Sequence, residues 1–357
     1  MSRLSARSPT LTSRRAQRNG NIGFRSSTTP AAVETAMNAS RLRFAILCLV
    51  PTILSLMPAE SRGWSAEGHM IVALVADRLL QARDAAAHKK LAELLATDKS
   101  NTWTKTDIAS ESTWADVLLE KSPEGRAATA KWHYVKLDAT NPDLTKACFG
   151  KPALPSMAPA SRGVQDDCVV DKIEQFAREL RDPATLQGER LTALQFLLNF
   201  VGDVNDPLFT IEQSDQGGRC VALVFPAAKT PVRLSTYWDD TLVVEAAGKD
   251  PAKAAVQIVA GLTPADIQKW SGGSPADWAQ ESYNVAKEVT YSFAKDKPKD
   301  SVSKYSFPAR KGEKDPCGPV PLYQVDAGYR ERAVAAVKEQ LAKGGVRLAF
   351  LLRENLQ

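Results

Sequence analysis

The chain has 357 residues, enough for one large domain or two small ones, and its 44% apolar content excludes a chain that is disordered throughout. The formal net charge of +5 comes from the first 63 residues, here called the leader. They contain nine arginines and no lysine, but only two acidic residues, Glu34 and Glu60. The rest of the chain has 37 basic and 39 acidic residues. Its net charge of about −2 therefore does not by itself predict nucleic-acid binding.

The leader has the pattern of an export signal. Two arginines precede an apolar stretch from Phe44 to Met57, and Ser61 and Gly63 are small residues at positions −3 and −1 of a cleavage before Trp64. The apolar stretch is short for a transmembrane span, which disfavours the alternative of an N-terminal membrane anchor. We expect an exported protein, located in the periplasm or the medium.

The chain divides into three predicted parts. Residues 1–36 are either a disordered extension or a mis-assigned gene start, since Met37 is a possible initiator. Residues 37–63 are the predicted cleaved signal peptide, and residues 64–357 form a single domain. After cleavage we expect no stable membrane association, and a monomer is favoured.

Cysteine usage agrees with export. Cys48 lies in the signal, which leaves Cys148, Cys168, Cys220 and Cys317, an even number suited to an oxidising compartment. We favour the pairs Cys148–Cys168 and Cys220–Cys317, because the first two flank one proline-rich loop. The pairing of Cys148 with Cys317 is the alternative. No CxxC spacing occurs, so the cysteines do not predict a zinc or redox site.

Helical periodicity dominates the sequence after Trp64. Apolar residues recur at the spacing of one helix face in three segments, and two further amphipathic segments cover residues 173–180 and 278–289. The recurring positions are Val72, Val75, Ala76 and Leu79; Leu194, Leu197, Leu198 and Val201; and Val334, Val337 and Leu341.

One β-hairpin is predicted. Residues 221–225 are apolar and are followed by a proline-bounded turn at residues 226–231. The expected fold class is therefore all-α, mainly helical, with one short β-hairpin.

Three histidines occur, and a single histidine in a helical protein is more often a polar core or surface residue than a metal ligand. His88 lies on a lysine-rich helix surface and is predicted to be solvated. His69 and His133 stand in motifs with other metal-binding residue types. These motifs are WSAEGH (64–69), STWAD (112–116), WHYV (132–135), FLLNFVGDVNDPLF (196–209) and LSTYWD (234–239).

In that order and context the motifs resemble the S1/P1 nuclease family of secreted, zinc-dependent phosphodiesterases. The resemblance runs from Trp64 almost to the C-terminus and includes the late segments WAQES (278–282) and KGGVRLA (343–349). It implies the helical fold that these nucleases share with zinc-dependent phospholipase C. It also implies hydrolysis of single-stranded DNA or RNA, with nucleotides as the related ligands.

The family binds three zinc ions, and the resemblance implies their ligands position by position. One zinc ion would be held by the amine and carbonyl of a new N-terminus at Trp64, together with His69 and Asp203. An α-amine has a pKa near 8, so a metal deprotonates it readily, but only after cleavage exposes it.

A second zinc ion would be held by Asp116, His133 and the shared Asp203, with Asn199 where the family has a histidine. Asn199 and Asp203 keep the i, i+4 spacing of one helix face, but an amide oxygen is a poorer zinc ligand than imidazole. Asp116 has the implied catalytic role of holding both a metal ion and the attacking hydroxide. Tyr134 matches an aromatic position that stacks on a nucleobase, with a core aromatic as the alternative.

The third zinc site departs from the family pattern. Asp239 is its one competent ligand, because Phe209 and Ser235 replace the two histidines. Asp206 and Asp240 lie near these positions in the sequence as possible substitutes. We therefore expect two zinc ions at most.

Leu119 departs from the family as well, because it replaces an arginine that lies near the phosphate. With the third zinc lost too, a rate lower by about a thousandfold or more is predicted.

The predicted function is a weakened zinc-dependent endonuclease. The alternatives are a catalytically inactive binding protein and a phosphodiesterase for another substrate, such as a phospholipid.

Overall fold

The computed structural model describes most of the chain after residue 62. The predicted signal peptide and extension lie outside the described residues, apart from Gly63. The described residues all fall in one compact unit, 55–357. They are residues 63–99, 102–148, 158–164, 166–226, 228, 230–295, 297–308 and 315–356.

The described part of the chain is mainly helical, as predicted. Its longer helices are α1 (Ala66–Arg83), α2 (Ala85–Leu95), α4 (Trp114–Lys121), α5 (Pro123–Thr129), α7 (Val169–Arg181), α8 (Gln187–Val204), α11 (Pro251–Gly261), α12 (Pro264–Trp270), α13 (Pro275–Val285) and α14 (Ala327–Asn355). The shorter ones are α3 (Ile108–Glu111), α6 (Leu144–Ala147), α9 (Leu234–Thr236) and α10 (Leu242–Ala247). A π-helical turn, Tyr237–Thr241, joins α9 to α10, and a second one, Ala286–Thr290, follows α13.

The predicted hairpin is present, but it belongs to a larger sheet that the sequence did not predict. Strands β3 (Ala222–Val224) and β4 (Val232–Arg233) pair antiparallel. Strand β6 (Val320–Gln324) pairs parallel with β3, and β5 (Lys304–Tyr305) pairs antiparallel with β6, which gives the order β4-β3-β6-β5. Two further strands, β1 (Leu137–Asp138) and β2 (Ile211–Glu212), form a separate parallel pair.

The core forms where the periodic helices meet. Helix α1 packs against α14 and α11, and α7 packs against α8. The predicted apolar faces are buried on α1 and α8. Gly345 permits the close approach of α14 to α1, because a Cβ at that position would lie 2.3 Å from Val75 Cγ1. The late KGGVRLA motif is thus partly explained by helix packing.

The favoured disulfide pairing is confirmed. Cys148 bonds to Cys168 across 20 residues, and Cys220 bonds to Cys317 across 97 residues. The alternative pairing of Cys148 with Cys317 is excluded. Both disulfides fit a protein that folds in an oxidising compartment.

Candidate functional site

Four side chains that are far apart in the sequence meet in one buried cluster. The Nε2 atom of His69 lies 3.6 Å from Asp116 Oδ2 and 3.5 Å from Asp203 Oδ1. The Nδ1 atom of His133 lies 2.8 Å from Asp203 Oδ2 and 3.9 Å from Asp116 Oδ1. None of the four residues is more than 7% exposed. Two imidazoles and two carboxylates therefore share one water-excluded position.

Helix ends and one buried helix face position these side chains. His69 lies in the first turn of α1 and Asp116 in the first turn of α4. His133 ends a 3-10 turn that begins at Ala130. Asp203 lies near the end of α8, whose C-terminal half is buried throughout. These elements are fixed by the core, so the cluster is held by rigid structure.

Asn199 contacts the cluster as a hydrogen-bond donor. Its Nδ2 atom donates to Asp116 Oδ2 at 3.1 Å and to the carbonyl oxygen of Ser112 at 3.0 Å. Its Oδ1 atom is buried and accepts no hydrogen bond from a described residue. The amide therefore orients the Asp116 carboxylate.

The backbone around Gly63 lies against the same cluster. Gly63 has a φ of 66°, and a Cβ there would lie 2.1 Å from Asp203 Oδ1 and 3.7 Å from His69 Nε2. Only glycine fits this left-handed, crowded position. The peptide bond that a cleavage before Trp64 would break therefore adjoins two of the residues implied to bind the first zinc ion.

The residues of the implied third zinc site include no imidazole. Phe209, Ser235 and Asp239 are 1%, 6% and 8% exposed. Asp239 lies in the π-helical turn Tyr237–Thr241, and its backbone oxygen accepts a hydrogen bond from Ser65 N at 2.9 Å. One carboxylate with a phenyl ring and a hydroxyl is a weaker donor set for zinc than a carboxylate with two imidazoles.

The two possible substitute ligands differ in position. Asp240 is exposed to solvent. Asp206 is fully buried, and its Oδ1 atom accepts a hydrogen bond from Leu208 N at 2.9 Å. Its Oδ2 atom accepts none from a described residue. Of these two candidates, only Asp206 is buried beside the cluster.

Charge in the cluster favours a bound cation. Burial raises the pKa of the Asp203 carboxyl well above its ordinary value, and the Asp206 carboxylate adds to this shift. Burial likewise raises the pKa of Asp206 to about 7, against the hydrogen bond from Leu208 and the charge of Lys136. The Oδ1 atom of Asp203 is also buried without a hydrogen bond from a described residue. Buried carboxylates are costly unless positive charge compensates them.

The donor types fit zinc, but their arrangement is not that of a formed metal site. Within the described ranges, no group of three or more His, Cys, Asp and Glu side chains could hold a metal ion as it stands. The direct contact between His133 Nδ1 and Asp203 Oδ2 shows why, since it pairs two donor atoms with each other. A change of side-chain rotamer would separate these two donor atoms without any movement of the helices.

Tyr134 is half-buried beside this region. Its ring lies edge-on to Phe209, with 6.4 Å between the ring centroids. It lines a cavity of about 350 Å³ whose other lining residues are Lys131, Lys136, Ala147, Asp166, Asp167 and Cys168. Tyr134, which is implied to stack on a nucleobase, therefore lines a cavity.

His88, the remaining histidine, lies outside the cluster. Its Nε2 atom bonds to Asp77 Oδ1 at 3.0 Å, and its side chain is about 30% exposed. The side chain that was predicted to be solvated is thus partly exposed, and its partner carboxylate on the neighbouring helix was not visible in the local pattern.

A buried polar network that the sequence did not predict lies beneath Asp203. Arg347 bonds to Asn205 Oδ1, and Gln340 Nε2 donates to Asn205 O at 2.8 Å. Gln340 also donates to Ser282 Oγ at 2.9 Å, and Ser282 donates to Val204 O at 2.7 Å. The signal in the sequence was the spacing of Gln340 and Arg347, which lie seven residues apart on the buried face of α14.

No helix among the described residues is both long enough and apolar enough to cross a bilayer.

Comparison with known proteins agrees with this architecture. The sequence model of the family S1/P1 Nuclease matches residues 64–357. Endonuclease 1 of Arabidopsis thaliana is 25% identical over 326 residues, covering 86% of this chain and 92% of the relative. Endonuclease 4 of the same plant is 25% identical over 310 residues, covering 81% and 88%. Nuclease S1 of Aspergillus oryzae is 23% identical over 186 residues, covering 52% and 56%. The chain belongs to the S1/P1 nuclease family.

Proposed function

We propose that this protein is a nuclease that hydrolyses phosphodiester bonds in single-stranded DNA or RNA at a site for two zinc ions. The observation that supports the proposal most is the buried cluster of His69, His133, Asp116 and Asp203. The names of the relatives, which are endonucleases, agree with it.

The four cluster residues would hold the two ions, with Asp203 shared between them. Zinc in such a site lowers the pKa of water and offsets negative charge at phosphorus. Asp116 is kept in place by the hydrogen bond from Asn199, which limits rotation of its carboxylate. Burial excludes bulk water and so strengthens every electrostatic contact within the cluster.

The positions Phe209, Ser235 and Leu119 limit the expected rate. None of these side chains binds a metal ion well or offers a cation to phosphate, and Leu119 is 4% exposed in the core. Each missing charge-stabilising contact costs about a hundredfold to a thousandfold in rate. We therefore expect an enzyme that is slow relative to family members with complete sites.

Export and processing form part of the same proposal. Cleavage before Trp64 would expose an α-amine next to His69 and Asp203, because the backbone at Gly63 lies against these two side chains. The intact mass of the protein purified from its expressing cells tests this directly. A mature chain that begins elsewhere would contradict the amine as a zinc ligand.

The first experiment is cleavage of circular single-stranded DNA by protein expressed from the full chain, with zinc supplied. A circular substrate has no ends, so any cleavage is endonucleolytic. The variants are His133→Ala and, as the matched control, His88→Ala, because His88 lies outside the cluster. Metal analysis of the same samples should find about two zinc ions per chain.

We expect cleavage by the parent and by His88→Ala, and none by His133→Ala. A folded, monodisperse parent that cleaves no DNA would instead indicate a catalytically inactive binding protein. Turnover of a choline phosphodiester without DNA cleavage would indicate the phospholipid alternative. Cleavage that survives His133→Ala would place the active site elsewhere.

A further inference from the structure

Lys136 has an ammonium group with unused hydrogen-bonding capacity next to the site. Its Nζ atom lies 4.8 Å from the ring centroid of Tyr134 and 5.6 Å from that of Phe209. Its one hydrogen bond to a described residue, to Leu208 O, is long at 3.4 Å, and it forms no ion pair with these residues. An ammonium has three N–H donors, so two are available to a ligand.

The backbone holds Lys136 in place on both sides. Val135 N donates to Phe209 O at 3.0 Å, and Leu137 N donates to Thr210 O at 3.2 Å. Leu137 also begins the short parallel pairing of β1 with β2. The backbone of the lysine is therefore fixed before any ligand binds, so that only its side chain must be ordered on binding.

The charge of Lys136 acts on the side of the site where the metal ligands are missing. Burial lowers the pKa of the Lys136 ammonium, but the surrounding carboxylates act in the opposite direction. These carboxylates are Glu212, Asp215, Asp206 and Asp239. Asp239 is the remaining carboxylate of the implied third zinc site, and Phe209 occupies the place of one of its histidines. A cation thus remains in this region although the metal donors do not.

We propose that Lys136 binds a phosphate group of the nucleotide whose base stacks on Tyr134. The proposal rests on the proposed nuclease function for the identity of the ligand, but the binding step itself requires no turnover. An ammonium donates a strong, charge-assisted hydrogen bond to a phosphate oxygen. The cavity of about 350 Å³ beside Tyr134 falls within the range of small-molecule sites.

Lys131 offers a matched control within the same cavity. It lines the cavity together with Lys136, but its side chain is 51% exposed and forms an ion pair with Asp166. A general electrostatic attraction of nucleotides to this region would depend on both lysines. A specific contact to phosphate would depend on Lys136 alone.

The test measures dissociation constants of thymidine 5′-monophosphate and of thymidine by calorimetry in zinc-containing buffer. The proteins are the parent, Lys136→Met, Lys136→Arg and Lys131→Met, with Lys136→Gln used if the Met variant does not fold. We expect Lys136→Met to weaken binding of the monophosphate about tenfold or more and to leave thymidine unchanged. Lys136→Arg, which keeps the charge, and Lys131→Met should stay within about threefold of the parent.

Three results would overturn the proposal. An equal loss for both ligands would show that Lys136 contacts the base. No loss in a folded Lys136→Met or Lys136→Gln protein would show that the lysine only neutralises the carboxylates around it. A parent protein that does not bind the monophosphate would also refute it. DNA cleavage by the same preparations separates this question from the proposed function, since either can hold without the other.

Discussion

Replacing Arg347 tests whether the polar network beneath Asp203 supports the site. The Arg347 side chain is buried, bonds to Asn205 Oδ1 and to Glu281 Oε2, and lies 5.5 Å from the Trp278 ring. Arg347→Met keeps the apolar stem but removes both hydrogen bonds. The Asn205 oxygen would then be buried without this donor.

The expected cost follows from these two contacts. A buried acceptor that loses its partner costs about 1–3 kcal/mol. The Glu281 side chain is 47% exposed, so its ion pair with Arg347 adds about 1 kcal/mol at most. We therefore expect Arg347→Met to lower the free energy of unfolding by about 1–4 kcal/mol.

The measurement is urea unfolding in the presence of a chelator, followed by zinc titration of the folded proteins. Arg353→Met is the matched control, because Arg353 lies on the same helix with its side chain 47% exposed and forms its ion pair with the neighbouring Glu354. It should change stability by less than about 1 kcal/mol. Because Asn205 caps the helix that carries Asp203, Arg347→Met should also weaken zinc binding about tenfold.

Two outcomes would refute this reasoning. Equal unfolding midpoints for Arg347→Met and Arg353→Met would show that the network contributes nothing to stability. A large loss of stability with unchanged zinc affinity would show that the network supports the fold but does not position Asp203.

Three further predictions concern pH, the longer disulfide and the aromatic ring. Burial raises the pKa of Glu111 from 4.5 to about 7, so its contribution to stability is complete below pH 4.5 and lost as pH rises through about 7. Between pH 4.5 and about 7 the parent should therefore lose stability, whereas Glu111→Gln should not. Parallel curves of the free energy of unfolding against pH for the two proteins would contradict this. Replacing Cys220 and Cys317 by serine opens a loop of 97 residues and should lower the free energy of unfolding in urea by about 5 kcal/mol. The same change at Cys148 and Cys168 opens a loop of 20 residues and should lower it by about 3 kcal/mol. Tyr134→Ala should weaken thymidine binding about fivefold or more, whereas Tyr134→Phe should not, and equal affinities would identify Tyr134 as a packing residue.

The helices were predictable because their signal is local. The faces of α1, α8 and α14 repeat every 3.6 residues, and a long helix shows that period several times. The β3–β4 hairpin was predictable for the same reason, since its turn and both strands are adjacent in the sequence. Strand β6 was missed because its partner, β3, is about 100 residues away in the sequence, and five residues contain little periodic information.

The candidate site, like the fold, was predictable from the sequence only in part. Its residue types and their order in the chain pointed to His69, Asp116, His133 and Asp203, and the structure brings these four together. The sequence did not show that Asn199 donates to Asp116. An amide can donate or accept, and only the neighbouring acceptors determine which.

Residue identity and spacing were enough to identify the family and the helical class, but they left two disulfide pairings open. What surrounds each polar group depends on how the chain folds. The buried bonds of Arg347, the burial of Asp206 and the unused donors of Lys136 all depend on segments that are distant in sequence. Hydrogen bonds and charges act over a few ångströms, so their partners are known only once the chain has folded.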